Sequence, residues 1–163
     1  MPLKKLLLSR LMFPLLVLLF SQGIIYADEQ MKNDFMKQKF NLLYRRVELP
    51  EAVWPILDQS KDIPIANPGE QYDGSDVPNP YSHLSSRRII FAGVSEKVSF
   101  VYYSEGGFGG RSLLLFKLEK NKIAEQCTYI LQTREGVISD IDYLQRKFKE
   151  IIEPHSENCK SGN

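Results

Sequence analysis

The chain has 163 residues, of which 43% are hydrophobic and 25% are charged, and these are the proportions of an ordinary globular domain. Its 21 lysines and arginines nearly balance 20 aspartates and glutamates, and neither sign is concentrated in a long block. This composition indicates a folded chain and argues against nonspecific binding to nucleic acids or anionic membranes, which needs a concentrated basic surface.

Residues 1–27 have the layout of a secretory signal peptide. Three basic side chains lie in the first ten residues, an apolar run follows over residues 11–20, and Ala27 is the last small residue before the charged Asp28. An apolar segment of this length is too short to span a bilayer comfortably. We expect cleavage after Ala27. Cleavage after Gly23 and retention of the segment as an anchor are the alternatives.

The mature chain, residues 28–163, carries 18 basic and 20 acidic side chains, because three of the 21 basic residues belong to the leader. We expect it to fold as a single α+β domain with no stable membrane insertion. Its expected location is the periplasm if the source is Gram-negative, and otherwise the extracellular medium.

Residues 30–47 are charged and amphipathic. The apolar side chains recur at helical spacing, at Met36, Phe40, Leu43, Tyr44 and Val47. This spacing predicts an N-terminal helix that covers a sheet. The run 42–49 could instead form a strand, and Pro50 ends either element because it has no N–H group.

A long irregular connection is expected over residues 58–87, which are rich in proline, glycine and small polar residues. Trp54, just before it, is expected in the core with its indole N–H hydrogen-bonded. Inside the connection, Glu70, Asp73 and Asp76 do not have the spacing of an EF-hand, and we interpret them as solvated turn carboxylates.

The two arginine pairs, at residues 45–46 and 87–88, are interpreted as solvated charges at strand edges or in loops. His83 lies among serines in the connection, and we interpret that neighbourhood as a coincidence of common loop residues. Neither a GxSxG nor an SxxK motif occurs, so no catalytic residue is predicted.

Four β-prone runs lie between Arg87 and Leu131 and predict an antiparallel meander of at least four strands. Alternation along residues 97–104 and 114–119 gives the sheet one fully apolar face and one mixed face. We expect the apolar face to carry the C-terminal helix and the N-terminal helix. The mixed face is expected to be partly wet or covered by the long connection.

The glycine loop, residues 104–111, is longer and richer in glycine than a hairpin turn needs. It is not a P-loop, because no Lys-Ser or Lys-Thr follows the glycines and a strand takes the place of the helix. The candidate binding residues are Gly106, Gly107, Phe108, Gly109, Gly110 and Arg111. Phe108 could insert as an anchor into a partner, or backbone N–H groups with Arg111 could hold an anion. A flexible hairpin tip without function is the third interpretation.

A C-terminal helix is predicted from Ser139, the expected N-cap, to Ile152, with acidic residues in its first turn. Pro154 ends it, and residues 155–163 are expected to be a polar tail.

The two cysteines, Cys127 and Cys159, are predicted to form a disulfide that fastens this tail to the sheet, because an exported chain with an even number of cysteines is the usual setting for such bonds. Two free thiols are the alternative. The two cysteines and the distant His83 and His155 lack the close pairing of zinc ligands, and no nucleotide fingerprint occurs, so neither a metal nor a cofactor is predicted.

The leading functional hypothesis is a small exported protein, not an enzyme, that binds a macromolecular partner, with an immunity protein or an inhibitor as the first subtype. Small exported α+β proteins of this plan include inhibitors, immunity proteins and ligand-binding modules, and this likeness is one of architecture only. The alternative is a small periplasmic hydrolase or ligand-binding protein that uses the glycine loop and the 58–87 connection as its site.

The first prediction concerns the mature N-terminus. Because Ala27 is the last small residue before the charged segment, N-terminal sequencing of the exported protein is expected to start at Asp28. A start at Met1 in membrane-retained protein would favour the anchor instead.

Overall fold

The computed structural model describes residues 28–58, 63–75, 82–106, 110–132, 136–152 and 158–161. The predicted leader lies outside these ranges. In the part of the chain that is described, no helix is both long enough and apolar enough to cross a bilayer.

The fold is α+β, as the sequence predicts, and it is built on one antiparallel sheet. The described residues form six strands whose order in the sheet is their order in the chain. The strands are β1 (Asn41–Leu43), β2 (Arg87–Val94), β3 (Ser99–Glu105), β4 (Arg111–Glu119), β5 (Lys122–Leu131) and β6 (Asn158–Ser161). The helical segments are α1 (residues 28–37), α2 (Trp54–Leu57), α3 (Ile141–Ile151) and two short 3-10 turns, Arg46–Glu48 and Glu51–Val53.

Three boundaries differ from the sequence expectation. The predicted helix over residues 30–47 stops at residue 37, and the chain enters β1, because Leu42 and Leu43 pair with Gly93 and Ala92 of β2. Helix α3 is capped by Asp140, not Ser139: the Asp140 carboxylate accepts the Asp142 N–H at 2.9 Å. The expected polar tail contains β6, which pairs with β5.

The first face of the sheet is covered by α1 and α3, as the sequence predicts. Phe148 of α3 makes edge-on contacts with Phe35 of α1, at 5.0 Å between ring centroids, and with Tyr129 of β5, at 5.3 Å. Gln145 of α3 donates its side-chain amide to the carbonyl oxygens of Phe35 and Gln38, at 2.6 and 2.9 Å. The last carbonyl groups of a helix have no N–H partner within the helix. The Gln145 amide is the donor for two such groups at the end of α1, and it thereby joins α1 to α3.

Phe100 of β3 is the centre of the aromatic packing on this face. Its ring centroid lies 5.4 Å from that of Phe35, 4.8 Å from Phe40 and 5.7 Å from Phe91. A side chain at Gly93 would meet the Phe100 ring at 2.5 Å and Phe40 at 2.9 Å. Glycine at position 93 therefore leaves the space that the rings occupy.

The second face of the sheet is also buried. Leu49, Val53, Leu57 and Ile65 pack on side chains of the central strands, including Val101, Leu114 and Phe116. The expectation that this face is partly wet or covered by the 58–87 connection is met only in part, because most of the cover comes from residues 49–57, before the connection, and Ile65 is the contribution of the connection itself. Strands β3 and β4 thus contribute side chains to two apolar cores, one on each face of the sheet.

Arg46 holds this covering segment in place. Its guanidinium donates from Nε and Nη2 to the Asp58 carboxylate, at 3.0 and 2.5 Å, and lies 4.1 Å from the centroid of the Trp54 ring. The same carboxylate accepts the Ile65 N–H at 3.0 Å. The interpretation of Arg46 as a solvated charge is wrong. Trp54 is half-buried, and within the described ranges its indole N–H has no hydrogen-bond partner. The expectation that this N–H is hydrogen-bonded is therefore wrong.

The second arginine pair is also not simply solvated. Arg87 donates from Nε to Glu105 at 2.8 Å and from Nη1 to the carbonyl oxygen of Ile56 at 3.1 Å, and so joins β2, β3 and α2. The Arg88 guanidinium lies 4.2 Å from the centroid of the Tyr72 ring in the connection. These contacts were missed because their partners are distant in sequence.

The predicted disulfide between Cys127 and Cys159 is confirmed. The two residues are direct partners in the β5–β6 register, and their Cα atoms are 4.1 Å apart. The bond closes a loop with a sequence separation of 32 residues. A loop of this size corresponds to about 3 to 4 kcal/mol on the chain-entropy model.

The second prediction tests this bond. Cys159→Ser is expected to lower the melting temperature by several degrees, because the unfolded chain gains freedom and β6 loses its covalent attachment. A reducing agent should lower the melting temperature of the natural protein to a similar value and leave that of Cys159→Ser unchanged. Equal melting temperatures for the natural protein with and without reductant would contradict it.

Candidate binding surfaces

The root of the glycine loop is closed by a backbone hydrogen bond. The Glu105 N–H donates to the carbonyl oxygen of Gly110 at 3.1 Å, between the end of β3 and the start of β4. Gly107, Phe108 and Gly109 lie outside the described residues, so their roles stay predictions. The described loop residues are Gly106, Gly110 and Arg111.

Gly106 is where the long connection packs on the hairpin. Its N–H donates to the carbonyl oxygen of Ser86 at 2.6 Å, and beside it the Asp73 N–H donates to Ser85 at 2.8 Å. A Cβ atom on Gly106 would clash with the carbonyl oxygen of Asp73 and would lie 3.1 Å from that of Ser86. Glycine is needed here for close approach of two backbones, not for a ligand. No local pattern separates Gly106 from the other glycines of the loop.

Gly110 is in a different environment. A Cβ atom built on it meets nothing within 4 Å, and its φ is outside the positive region that favours glycine. The two described glycines of the loop are therefore not equivalent, because only Gly106 is crowded by backbone.

Arg111 begins β4 and is two residues from the buried Leu113, so alternation places it on the helix-covered face. Burial raises the pKa of the Tyr102 hydroxyl, and the positive charge of Arg111 partly offsets that rise. The guanidinium of Arg111 thus has an electrostatic neighbour in the core. The local sequence around Arg111 contains no signal for this proximity, because Tyr102 belongs to another strand.

A second buried tyrosine, Tyr103, lies on the opposite face. Its pKa is raised by burial and by the nearby Glu105 carboxylate, and Arg87 acts in the other direction. Both tyrosines at the root of the hairpin therefore remain protonated at neutral pH. Neither has the chemistry of a general base.

Turn carboxylates in the connection are engaged with their own turns. Glu70 accepts the N–H and side-chain amide of Asn67, at 2.7 and 2.9 Å, and Asp73 accepts from Ser75 Oγ at 2.5 Å. These hydrogen bonds lower the pKa of both carboxyl groups. Asp76 lies outside the described residues.

One group of potential metal ligands occurs within the described part of the chain, and it contains Asp28, Cys127 and Cys159. Both sulfurs are committed to the disulfide. They are therefore not available as thiolate ligands.

A second candidate surface, which the sequence analysis did not identify, lies at residues 42–47 and is called the β1 edge here. Leu42, Tyr44 and Val47 are 36, 55 and 72% exposed, and they are three of the six large exposed apolar side chains in the described ranges. Three such side chains within six residues are a concentration that the rest of the described surface does not show. The sequence signal was present but ambiguous, because Tyr44 and Val47 also fit the apolar stripe of the predicted helix.

The backbone of the β1 edge is fixed by hydrogen bonds. The Glu48 carboxylate accepts the N–H groups of Tyr44 and Arg45, at 2.9 and 3.1 Å. The Arg46 N–H donates to the side chain of Asn67 at 2.7 Å. The exposed side chains are thus presented on an ordered segment.

A cleft of about 460 Å³ adjoins the start of β1. It is lined by Gln38, Lys39, Asn41, Val94, Ser95 and Glu96. A smaller one of about 180 Å³ lies at the β2–β3 turn and reaches Phe116. Neither cleft is lined by His83 or Arg111.

No family model, curated protein or solved structure matches this chain.

The third prediction separates the two described glycines of the loop. Gly106→Ala is expected to lower the free energy of unfolding by about 1 to 3 kcal/mol, because the added methyl group must displace the backbone at Asp73. Gly110→Ala is the matched control and should change it by less than about 0.5 kcal/mol, because its surroundings are open. Urea unfolding of the two variants measures this difference, and equal effects would show that the connection does not pack on Gly106 as described.

Proposed function

We propose that this protein is a small exported protein that acts by binding a macromolecular partner, with an immunity protein or an inhibitor as the first subtype. The observation that carries the proposal is the β1 edge, where Leu42, Tyr44 and Val47 are exposed on an ordered backbone. Exposed apolar side chains in a group, with an aromatic residue among them, are typical of protein interaction surfaces.

The ordered backbone of the β1 edge adds to this support. A surface that is already fixed before binding loses little conformational freedom when the partner arrives, and that saving increases affinity. The hydrogen bonds from Glu48 and Asn67 hold the segment in this way.

The glycine loop is the second element of the proposal. Its root is held by the Glu105–Gly110 and Gly106–Ser86 hydrogen bonds, so a side chain at the tip would be presented from a fixed base. Phe108 in this position would act as an aromatic anchor.

Export is supported by the leader-like residues 1–27 and by the Cys127–Cys159 bond. Disulfides persist in oxidising compartments and are rare in the reducing cytosol. A binding protein of this kind would therefore meet its partner in the periplasm or outside the cell.

The alternative, a hydrolase or ligand-binding protein that uses the glycine loop and the connection, needs a deep pocket that gathers polar and charged groups. Of the residues that such a pocket would use, Arg111 lies on the helix-covered face and His83 is exposed in the connection. The structure therefore gives this alternative less support than partner binding.

Partner capture tests the proposed function. The full chain, with its disulfide intact and Phe108 replaced by an aromatic photoactivatable cross-linking residue, would be expressed in cells that encode the protein, and cross-linked products would be identified by mass spectrometry. The expected result is one macromolecule that is captured reproducibly and that binds the purified protein at a fixed stoichiometry in calorimetry. Failure to reconstitute any such complex would overturn the proposed function.

The fourth prediction assigns the role of the loop in that complex. Phe108→Ala should leave the melting temperature nearly unchanged and weaken partner binding by about 2 kcal/mol or more, because an exposed side chain contributes little to the core and an anchor contributes much to an interface. Arg111→Ala should weaken binding less than Phe108→Ala. The opposite order would favour an anion site in the loop, and no effect of either change would reduce the loop to a turn.

A further inference from the structure

The two edges of the sheet differ in chemistry. At one edge, β6 exposes polar side chains and is joined to β5 by the disulfide. At the other edge, β1 has β2 as its one strand partner among the described residues, and the exposed Leu42 and Tyr44 lie on it or directly beyond it. An edge strand offers backbone N–H and C=O groups on its open side, and these groups can pair with an extended segment of another chain.

Cationic side chains flank the exposed apolar residues of β1. Lys39 precedes the strand and Arg45 follows it, and both are exposed. Neither forms an ion pair with any residue in the described ranges. Five other described cations have such partners, namely Lys32, Arg46, Arg87, Lys117 and Lys147, whereas exposed cations such as Lys37 and Lys122 do not. The charges of Lys39 and Arg45 are therefore open to a partner.

We propose that β1 binds an extended, acidic segment of the partner protein by strand addition. Leu42 and Tyr44 would contact apolar side chains of that segment, and Lys39 and Arg45 would contact its carboxylates. This inference rests on the proposed function and specifies the surface and the chemistry of the partner.

Two acidic residues lie near this edge, and neither forms an ion pair with Lys39 or Arg45. The Glu48 carboxylate is engaged with two backbone N–H groups, on Tyr44 and Arg45. Glu96 lines the cleft beside Lys39 without an ion pair to it. The cleft provides space for a side chain at the end of the added segment.

A second copy of this chain fits the β1 edge less well. In an antiparallel pair centred on Leu42, residue 39 of one copy lies opposite residue 45 of the other, so Lys39 would face Arg45. Like charges directly opposite each other destabilise a strand pair, whereas a carboxylate opposite each cation stabilises it. Charge complementarity thus selects an acidic partner over self-association.

Short edge strands with lysine are also a common protection against aggregation. A purely protective edge, however, does not require exposed apolar side chains such as Tyr44 and Val47, since these increase the risk of association. The experiment below decides between binding and protection.

The fifth prediction uses a defined probe, a fluorescent eight-residue peptide in which glutamate alternates with valine. We expect saturable binding to the natural protein in fluorescence anisotropy, and a loss of affinity of at least about tenfold for Arg45→Glu and for Lys39→Glu. Lys122→Glu is the matched control, since Lys122 is exposed on β5, four strands away, and this change should alter affinity less than about twofold. Tyr44→Ala should also weaken binding.

Two further peptides test the mode of binding. A lysine–valine peptide of the same length should not bind, because its charges repel Lys39 and Arg45. A glutamate–valine peptide methylated on every backbone nitrogen should lose at least about tenfold in affinity, because it cannot donate hydrogen bonds to the strand edge. Melting temperatures of all variants confirm that they are folded, and the Lys39 and Arg45 changes serve as independent checks.

Several outcomes would overturn the inference: no saturable binding of the glutamate–valine peptide, equal binding of both charge types, or equal effects of Arg45→Glu and Lys122→Glu. Capture of a partner whose affinity is unchanged by Lys39→Glu and Arg45→Glu would also overturn it, and in that case the proposed function would stand. Failure of partner capture, with specific peptide binding at β1, would instead count against the proposed function alone.

Discussion

The structure depends on a sheet whose central strands have no polar face. In β3 and β4, buried side chains point to both sides: Phe100 and Leu113 belong to one core cluster, and Val101 and Leu114 to the other. Burying only one face would leave several large apolar side chains in water, at about 25 cal/mol for each Å² exposed. The helices α1 and α3 meet the first demand. The second face must be covered by a segment with little regular structure. This explains why the side chains of Arg46 and Arg87 are needed to fix that segment.

The local sequence was sufficient where a pattern and its partner lie close together. Strands β2 to β5 and helix α3 are regular elements with clear periodicity, and the predicted meander and C-terminal helix were therefore confirmed. The ends of the sheet were not predictable in the same way. Strand β6 has the sequence of a polar tail, and its pairing with β5, in which Cys159 lies opposite Cys127, is a long-range contact that the local pattern does not indicate. Strand β1 resembles the continuation of α1 until its pairing with β2 is known.

The candidate site residues also divide into those that a local sequence pattern reveals and those that depend on a partner distant in sequence. The glycine loop was conspicuous in the sequence, but the need for Gly106 comes from Asp73, a residue 33 positions earlier. The β1 edge was overlooked because apolar residues at helical spacing predict a buried stripe. Exposure is a property of the assembled fold, and a single sequence contains no direct signal for it.

The N-terminus of the described chain is built into the disulfide region. The Asp28 carboxylate accepts a hydrogen bond from the Tyr129 hydroxyl at 2.5 Å and pairs with Lys32 at 2.6 Å, and it lies 3.5 Å from Cys159 Sγ. Lys32 is itself buried, so its charge depends on this partner. Cleavage after Ala27 would retain Asp28 and these contacts.

The chain that leaves β1 runs toward the end of the sheet that carries the glycine loop. The register pairs Leu43 with Ala92, so the chain leaves β1 toward the end at which β2 begins and β3 ends. The β3–β4 turn lies two to three strands from β1 across the sheet, which is roughly 10 to 14 Å at the usual strand spacing. Along the strands it is five residues further, because Leu43 pairs with Ala92 and the turn is level with Arg87, and this adds an offset of roughly 17 Å. One partner domain can span this distance. A three-residue strand offers few backbone hydrogen bonds, so its affinity for an added segment is modest. Once that segment is bound, a second contact of the same partner at the loop would be effectively intramolecular and would increase the total affinity. Two modest contacts on one rigid sheet would therefore be sufficient for the recognition that we propose.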